Sequence, residues 1–166
     1  TADFNQWPSF SKMILFLLMF VGGCAGSTGG GIKNIRILIL IKAIKKEILK
    51  ITHPRAVYSV KVGGKVVNDK ALSEIALFFF MYIFIFIIAA IIVSLDGMDM
   101  VTSLSSVAAT IGNIGPGFNV VGPMGNFSTF SNLSKSVLSL CMIIGRLEIY
   151  PILLLFMPTF WRKGNI

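Results

Sequence analysis

Three stretches of this chain carry residue types and spacings that could do chemistry. The first is Thr110-Ile111-Gly112-Asn113-Ile114. A short extended stretch of this kind lines up backbone carbonyls, and such a row can replace the hydration shell of a cation. Gly112 stands where a side chain would obstruct the carbonyl geometry, since glycine accepts positive φ without steric cost. The chemistry would be ion coordination, with no bond made or broken.

The second stretch runs from Gly22 to Gly31 and contains Gly22, Gly23, Gly26 and the triplet Gly29-Gly30-Gly31. Each glycine weakens a helix by about 1 kcal/mol relative to alanine, so this is a poor passive anchor. It reads as a hinge or gate, with Gly26, Ser27, Thr28, Gly29, Gly30 and Gly31 lining a permeation path. Gly22 and Gly26 also form a GxxxG pair, the spacing of a helix-packing face. A phosphate loop is excluded, because Ile32 occupies the position where lysine is needed.

The third is Arg146. Counted from Ser136 it lies about 15 Å along a helix, near a bilayer midplane. An arginine there costs about 2.5 to 3.5 kcal/mol on insertion scales, so it must face protein or water. An interhelical salt bridge and a pore-lining role both satisfy that demand. Glu148 leaves the same helix about 200° away, so the two side chains do not pair, and Glu148 reads as structural. Beyond these, no Ser/His/Asp set or metal cluster is present, and the single His53 precedes a proline in a basic loop. The sequence therefore predicts no catalytic residues and no enzyme.

These groups need elements to position them. Ile75 to Leu95 is an uncharged apolar run. As a helix, about 20 residues cross the ~30 Å hydrocarbon layer. Met13 to Ile41 predicts a helix, the glycine break, and a second helix that leaves the membrane near Lys42. His53-Pro54 should stop it. Val57 to Val67 predicts a hairpin turning at Gly63-Gly64. Asp99 to Lys135 holds no charge between its ends, yet is too polar to span. A half-length helix from Met100 to Thr110, then glycine-containing strand, predicts a re-entrant loop beside a watery cavity. Its helix would point its negative end at that cavity, which favours a cation. Val137 to Phe160 is a further spanning candidate, ending in Trp161-Arg162-Lys163 as an interfacial anchor.

Composition agrees. The chain is 55% hydrophobic with 14 Phe and only 13% charged. So short a chain cannot hide that much apolar surface internally, whereas lipid can. Between Lys33 and Lys70 stand ten Lys or Arg against Glu47 and Asp69, an excess equal to the whole net charge of +8. A basic segment between apolar runs is the mark of a cytoplasmic loop, and the flanking runs argue against nucleic acid as its partner. Lys42, Lys45, Lys46 and Lys50 read as a solvated anchor, with docking of a cytosolic partner the sharper alternative. Cys24 and Cys141 lie in apolar surroundings and predict no disulfide framework. The polar start Thr1-Ala2-Asp3 is unlike a signal peptide. The chain reads as part of something longer or as a processed product.

The motifs in order resemble those of the Trk-type potassium uptake proteins, within the Trk/Ktr/HKT cation transporter superfamily. Phe20-Val-Gly-Gly-Cys-Ala-Gly-Ser-Thr-Gly-Gly-Gly-Ile-Lys33 is similar to the second helix of their third repeat. Thr110-Ile-Gly-Asn-Ile-Gly-Pro-Gly-Phe118 is similar to the filter of the fourth. Gly145-Arg-Leu-Glu148 with Phe160-Trp-Arg162 resembles their end, and the Pro54-Arg55-Ala56 to Val67 hairpin also fits.

The resemblance implies an all-α integral membrane fold, a potassium-channel-like helix–pore loop–helix repeat with a small cytoplasmic β-hairpin. Residues 1–53 would be the second helix of repeat 3, broken at 22–31. Residues 54–70 would be the basic loop. Residues 71–166 would be repeat 4, with membrane helix 73–95, pore helix 99–110, filter 110–114 and membrane helix 136–160. Potassium would be the transported ion, with no covalent cofactor. Gly22 to Gly31 would be the intramembrane gate and Arg146 the arginine facing the pore beside it. The implied partners are the bilayer, repeats 1 to 3 of the parent chain, a second copy in a homodimer, and a cytosolic nucleotide-binding regulatory subunit (TrkA-like). The implied location is the plasma (inner) membrane of a bacterium or archaeon, multi-pass, with loop 33–70 and the C-terminus cytoplasmic. The sequence starts just after the point where a third filter would end, so a pore of four strands would need the parent chain. The rival reading, from another class, is a non-conducting scaffold whose glycine-rich segments only pack helices.

Overall fold

The computed structural model describes residues 2–24, 26–27, 29–56, 58–147, 149 and 151. The expectations placed on Thr28, Val57, Glu148 and the stretch 152–166, including Phe160, Trp161 and Arg162, lie outside the described residues.

The helices are α1 (Ser9–Val21), α2 (Asn34–Thr52), α3 (Asp69–Ser94), α4 (Met100–Ile111) and α5 (Asn132–Leu147). Strands β1 (Val60–Val62) and β2 (Lys65–Val67) pair antiparallel between α2 and α3, with Val60 opposite Val67 and Val62 opposite Lys65. The turn glycines Gly63 and Gly64 have φ of 57° and 79°. A tight hairpin between twisted strands demands such angles. A hairpin thus lies where the Gly-Gly pair suggests it, and α2 stops at Thr52, directly before His53-Pro54.

α3 has 26 residues and is about 39 Å long, more than the ~30 Å of a hydrocarbon layer. It begins at Asp69 rather than near 73, because the Asn68 side chain accepts the Ala71 N–H at 2.8 Å. Such a cap satisfies an orphan donor of the extra turn. α3 is the one described helix long and apolar enough to cross a membrane. Much of its surface is left open: Phe80 is 70% exposed, and Phe84 and Ile91 are also exposed. Such a face suits lipid. The other face packs inward through Phe78, Tyr82, Ala89, Ala90 and Val93.

α4 has 12 residues, so it is only about 18 Å long. Its neighbours wrap it. Thr102, Ser103, Ser105, Ser106 and Thr110 are all buried on it. Their small size lets α3 and α5 approach closely. Several hydroxyls satisfy themselves within the helix: Ser106 donates to Ser103 O at 2.8 Å, and Thr110 to Ser106 O at 2.9 Å. Val107, Ile111, Leu138, Cys141 and Ile144 complete the core between α3, α4 and α5. α5 starts at Asn132 and not at the expected Ser136, because the Ser131 hydroxyl accepts the Ser134 N–H at 3.2 Å.

Asp99 caps α4. Its carboxylate accepts the N–H and hydroxyl of Thr102 and the Asn119 side-chain amide, the last at 2.9 Å. Thr102 first, then Asn119, hold this carboxyl below its ordinary value of 3.8. A lowered carboxylate stabilises above the unfolded value and loses that contribution as pH falls through the folded one. Asp99→Ala should cost about 1 kcal/mol at pH 7, as cap removals do. Thermal unfolding of the full-length protein in detergent should show that gap at pH 7. The gap should shrink as the pH falls below 3.8.

Candidate functional site

α1 and α2 are separated by a break that runs from Gly22 to Lys33, past the expected end at Gly31. It is a closed backbone loop. Ile32 N–H donates to Phe20 O at 3.2 Å and Asn34 N–H to Gly23 O at 3.1 Å, so the chain returns to where it left. Gly22 and Gly31 have φ of 69° and 84°. A Cβ on Gly22 would stand 2.6 Å from Gly30 O, and one on Gly31 2.9 Å from the Gly22 Cα. Only hydrogen fits between those two segments. Gly22 and Gly26 do not share a helix face, since Gly22 caps α1 outside a helix, and within this chain a Cβ on Gly26 would meet nothing within 4 Å. Gly26, Ser27 and Gly29 are exposed, whereas Gly30 and Gly31 are buried.

The stretch 110–114 differs in form from the expected extended strand. Thr110 and Ile111 complete the last turn of α4, both fully buried, and Gly112 caps it in helical geometry at φ −78°, ψ −9°. Gly112 N–H donates to Ala108 O at 2.9 Å, Asn113 N–H to Thr110 O at 3.1 Å, and Ile114 N–H to Ala109 O at 2.9 Å. The reason is that Thr110 is hydrogen-bonded back into the helix and Ile111 is held in the core, so the helix persists until the first residue without a side chain. The irregular connection therefore begins at Gly112. Its positive-φ residues are Asn113 at 52° and Gly115 at 110°. Gly112 is needed for space instead: a Cβ there would stand 2.9 Å from Ala108 O, 3.0 Å from the Ile114 Cδ1 and 3.1 Å from Met19 O. The carbonyls of Ala108, Ala109 and Thr110 are thus taken by N–H groups of the connection itself, at the end of the helix where its dipole is negative.

The structure brings the two stretches together. A Cβ on Gly30 would lie 2.8 Å from Ile111 O and 2.7 Å from the Asn113 Nδ2, so the buried end of the break touches the end of α4. α5 closes the third side. Asn113 Nδ2 donates to Met142 O at 3.2 Å, and a Cβ on Gly145 would overlap Ile111 O. Arg146, exposed, follows directly after that contact. With α5 starting at Asn132, Arg146 lies about 21 Å along it rather than ~15 Å.

Sequence reasoning missed Gly145 and Gly115 as site residues, and missed the Asn113 side chain as a link to α5. An isolated glycine inside an apolar pattern is a sign of close backbone approach, and Gly145 carried it. It also missed Arg36 on α2, whose guanidinium lies 4.0 Å from the centre of the Phe78 ring. Such a contact lets a cation enter an apolar interface. The loop after α4 is tied by Asn5, which donates to Asn119 O at 3.2 Å and accepts the Asn119 N–H at 2.9 Å.

A helix long and apolar enough to cross a membrane, beside a half-length helix whose carbonyl end meets glycine backbone, is the arrangement expected of a membrane transport protein. The model of the TrkH family, described as cation transport protein, matches residues 1–163, and the chain belongs to that family, which is one of transporters and not of enzymes. It is 43% identical over 163 residues to the Trk system potassium uptake protein TrkG of Escherichia coli (strain K12), and 42% identical over 163 residues to TrkH of Vibrio parahaemolyticus. Each alignment covers 98% of this chain and 33% of the relative. The crystal structure of the potassium transporter TrkH from Vibrio parahaemolyticus superposes with a TM-score of 0.83 at 41% identity, over 96% of this chain and 34% of that one. The chain thus spans about a third of the length of these relatives.

Proposed function

We propose that this chain is the part of a potassium uptake channel that supplies one filter segment and the intramembrane gate. Potassium passes over backbone carbonyls of the part of the stretch Thr110 to Ile114 that leaves the helix, from Gly112 onward, and is released or held back by the loop that includes Gly26, Ser27, Thr28, Gly29, Gly30 and Gly31. Arg146 stands beside that loop and faces the path. The observation that carries the reading is the direct contact of Gly30 with the carbonyl end of α4. A gate pressed against an ion site can block it by moving a small distance.

In this reading the remaining repeats of the parent chain complete the ring of four such segments. The basic loop 33–70 and the C-terminus are cytoplasmic in a bacterial or archaeal inner membrane, as the charge asymmetry favours. Lys46 pairs with Asp69 at 2.7 Å and Lys42 donates to Lys61 O at 2.7 Å, so the base of α2, the hairpin and the base of α3 form one unit on that side. A homodimer and a cytosolic nucleotide-binding regulatory subunit complete the assembly.

The test is rubidium uptake by the full-length parent in cells without their own potassium uptake, with the regulatory subunit supplied. Uptake that persists under excess sodium supports the reading. An inserted parent that carries no rubidium points to a non-conducting scaffold.

A further inference from the structure

We infer that Asn113 is a positioning residue that couples the ion site to the gate, so that a cation held after α4 alters how readily the 22–33 loop opens. The inference rests on the proposed roles of those two segments. Three chain segments converge on one amide and one carbonyl. Asn113 Nδ2 donates to Met142 O of α5 at 3.2 Å. The same Nδ2 would lie 2.7 Å from a Cβ on Gly30 and 2.8 Å from one on Gly145, and both of these would also crowd Ile111 O. At Gly30 and Gly145 it is backbone that meets the amide and the carbonyl, with no flexible side chain between.

Asn113 itself is exposed, but Gly30 and Ile111 are buried, and buried backbone contacts transmit small displacements because close-packed interiors yield little and switch between discrete arrangements. A cation drawing on carbonyls at the end of α4 pulls on Ile111 and Asn113, and these bear on Gly30 in the gate and on Gly145 in α5. Asn113 suits the position in two ways. Its backbone sits at φ 52°, where asparagine is tolerated better than most residues. Its amide also reaches the α5 carbonyl. Coupling between two sites is reciprocal: whatever cation occupancy does to loop opening, loop opening does to cation affinity.

Ile32→Cys supplies the reporter, since Ile32 lies at the buried end of the loop and is 2% exposed, so that a thiol there is reached only when the loop opens, whereas Cys24 is exposed already. The full-length parent, with its other cysteines replaced, is reconstituted into vesicles. Modification of the thiol introduced by Ile32→Cys with a small charged maleimide is timed in potassium and in choline at equal ionic strength, the protein being, apart from the cysteine replacements, otherwise wild type in the loop and at Asn113. The wild type should react about fivefold more slowly in potassium. Asn113→Gly deletes the amide while keeping backbone freedom, and Gly145→Ala drives a methyl into the junction. Each should reduce the ratio to less than about twofold. Where the labelling rate tracks the open fraction, labelled wild type should show its equilibrium dissociation constant for rubidium raised by the same factor, which a purely structural role for Asn113 does not require.

Potassium protection that survives Asn113→Gly undiminished overturns the route through Asn113. A wild-type ratio near one alongside sodium-resistant rubidium flux overturns the coupling and leaves the filter reading standing. Absence of flux from the inserted wild type overturns both.

Discussion

Gly112→Ser in the full-length parent should abolish the preference for rubidium over sodium. The backbone angle at Gly112 would accept serine, since φ is −78°. The space would not. The new Cβ would stand 2.9 Å from Ala108 O and 3.1 Å from Met19 O, and neither backbone oxygen can step aside cheaply. The cap of α4 must then shift, and with it every carbonyl that follows. Selection between two alkali ions rests on small differences in carbonyl geometry, and about 1.4 kcal/mol of lost discrimination is tenfold in selectivity. Competition of sodium with rubidium uptake should rise by about that factor or more. Unchanged competition with normal insertion would mean that Gly112 does not shape the ion site.

The second large effect is expected in the gate. Gly31→Ala carries two penalties at once. Gly31 sits at φ 84°, a left-handed angle that costs an alanine about 1–2 kcal/mol. The added methyl would also stand 2.9 Å from the Gly22 Cα, where the neighbour is backbone. The closed loop is therefore destabilised by about 2 kcal/mol, which multiplies the open population by about thirtyfold when the closed form dominates. Rubidium leak from vesicles holding the parent without its regulatory subunit should rise at least about tenfold. Gly26→Ala is the matched control: its φ is also 84°, but nothing lies within 4 Å of the added methyl. It should leak less than Gly31→Ala. Equal leak in the two would remove the backbone contact from the explanation, and a tight Gly31→Ala would remove the gate.

Much of this arrangement was legible in the sequence because it is written in periodicity and in special residues. The apolar run Ile75 to Leu95 has one solution in lipid, and α3 contains nearly all of it. Gly63-Gly64 between β-branched residues fixes a hairpin, and His53-Pro54 stops a helix. The glycine break was visible because no helix of that composition is stable in isolation. What differs has a common cause. Where α4 ends depends on burial and on hydroxyls turning back into the helix, so Thr110 and Ile111 stay helical although a motif suggests strand. The starts of α3 and α5 are set by the Asn68 and Ser131 caps, local signals to which hydropathy is blind. The convergence of Gly30, Asn113 and Gly145 joins residues far apart in the chain, and pairing of that kind is absent from any single-sequence pattern.

If the stretch after α4 faces an ion path, a thiol placed there will report it. Asn113→Cys is introduced into the full-length parent with its native cysteines replaced, Cys24 and Cys141 among them, and a membrane-impermeant thiol reagent is applied from outside. The introduced thiol should react, and potassium and rubidium should slow the reaction whereas sodium at the same concentration should not. A thiol that stays unreactive, or one that reacts equally fast in all three salts, would mean that this stretch does not line the path of the ion.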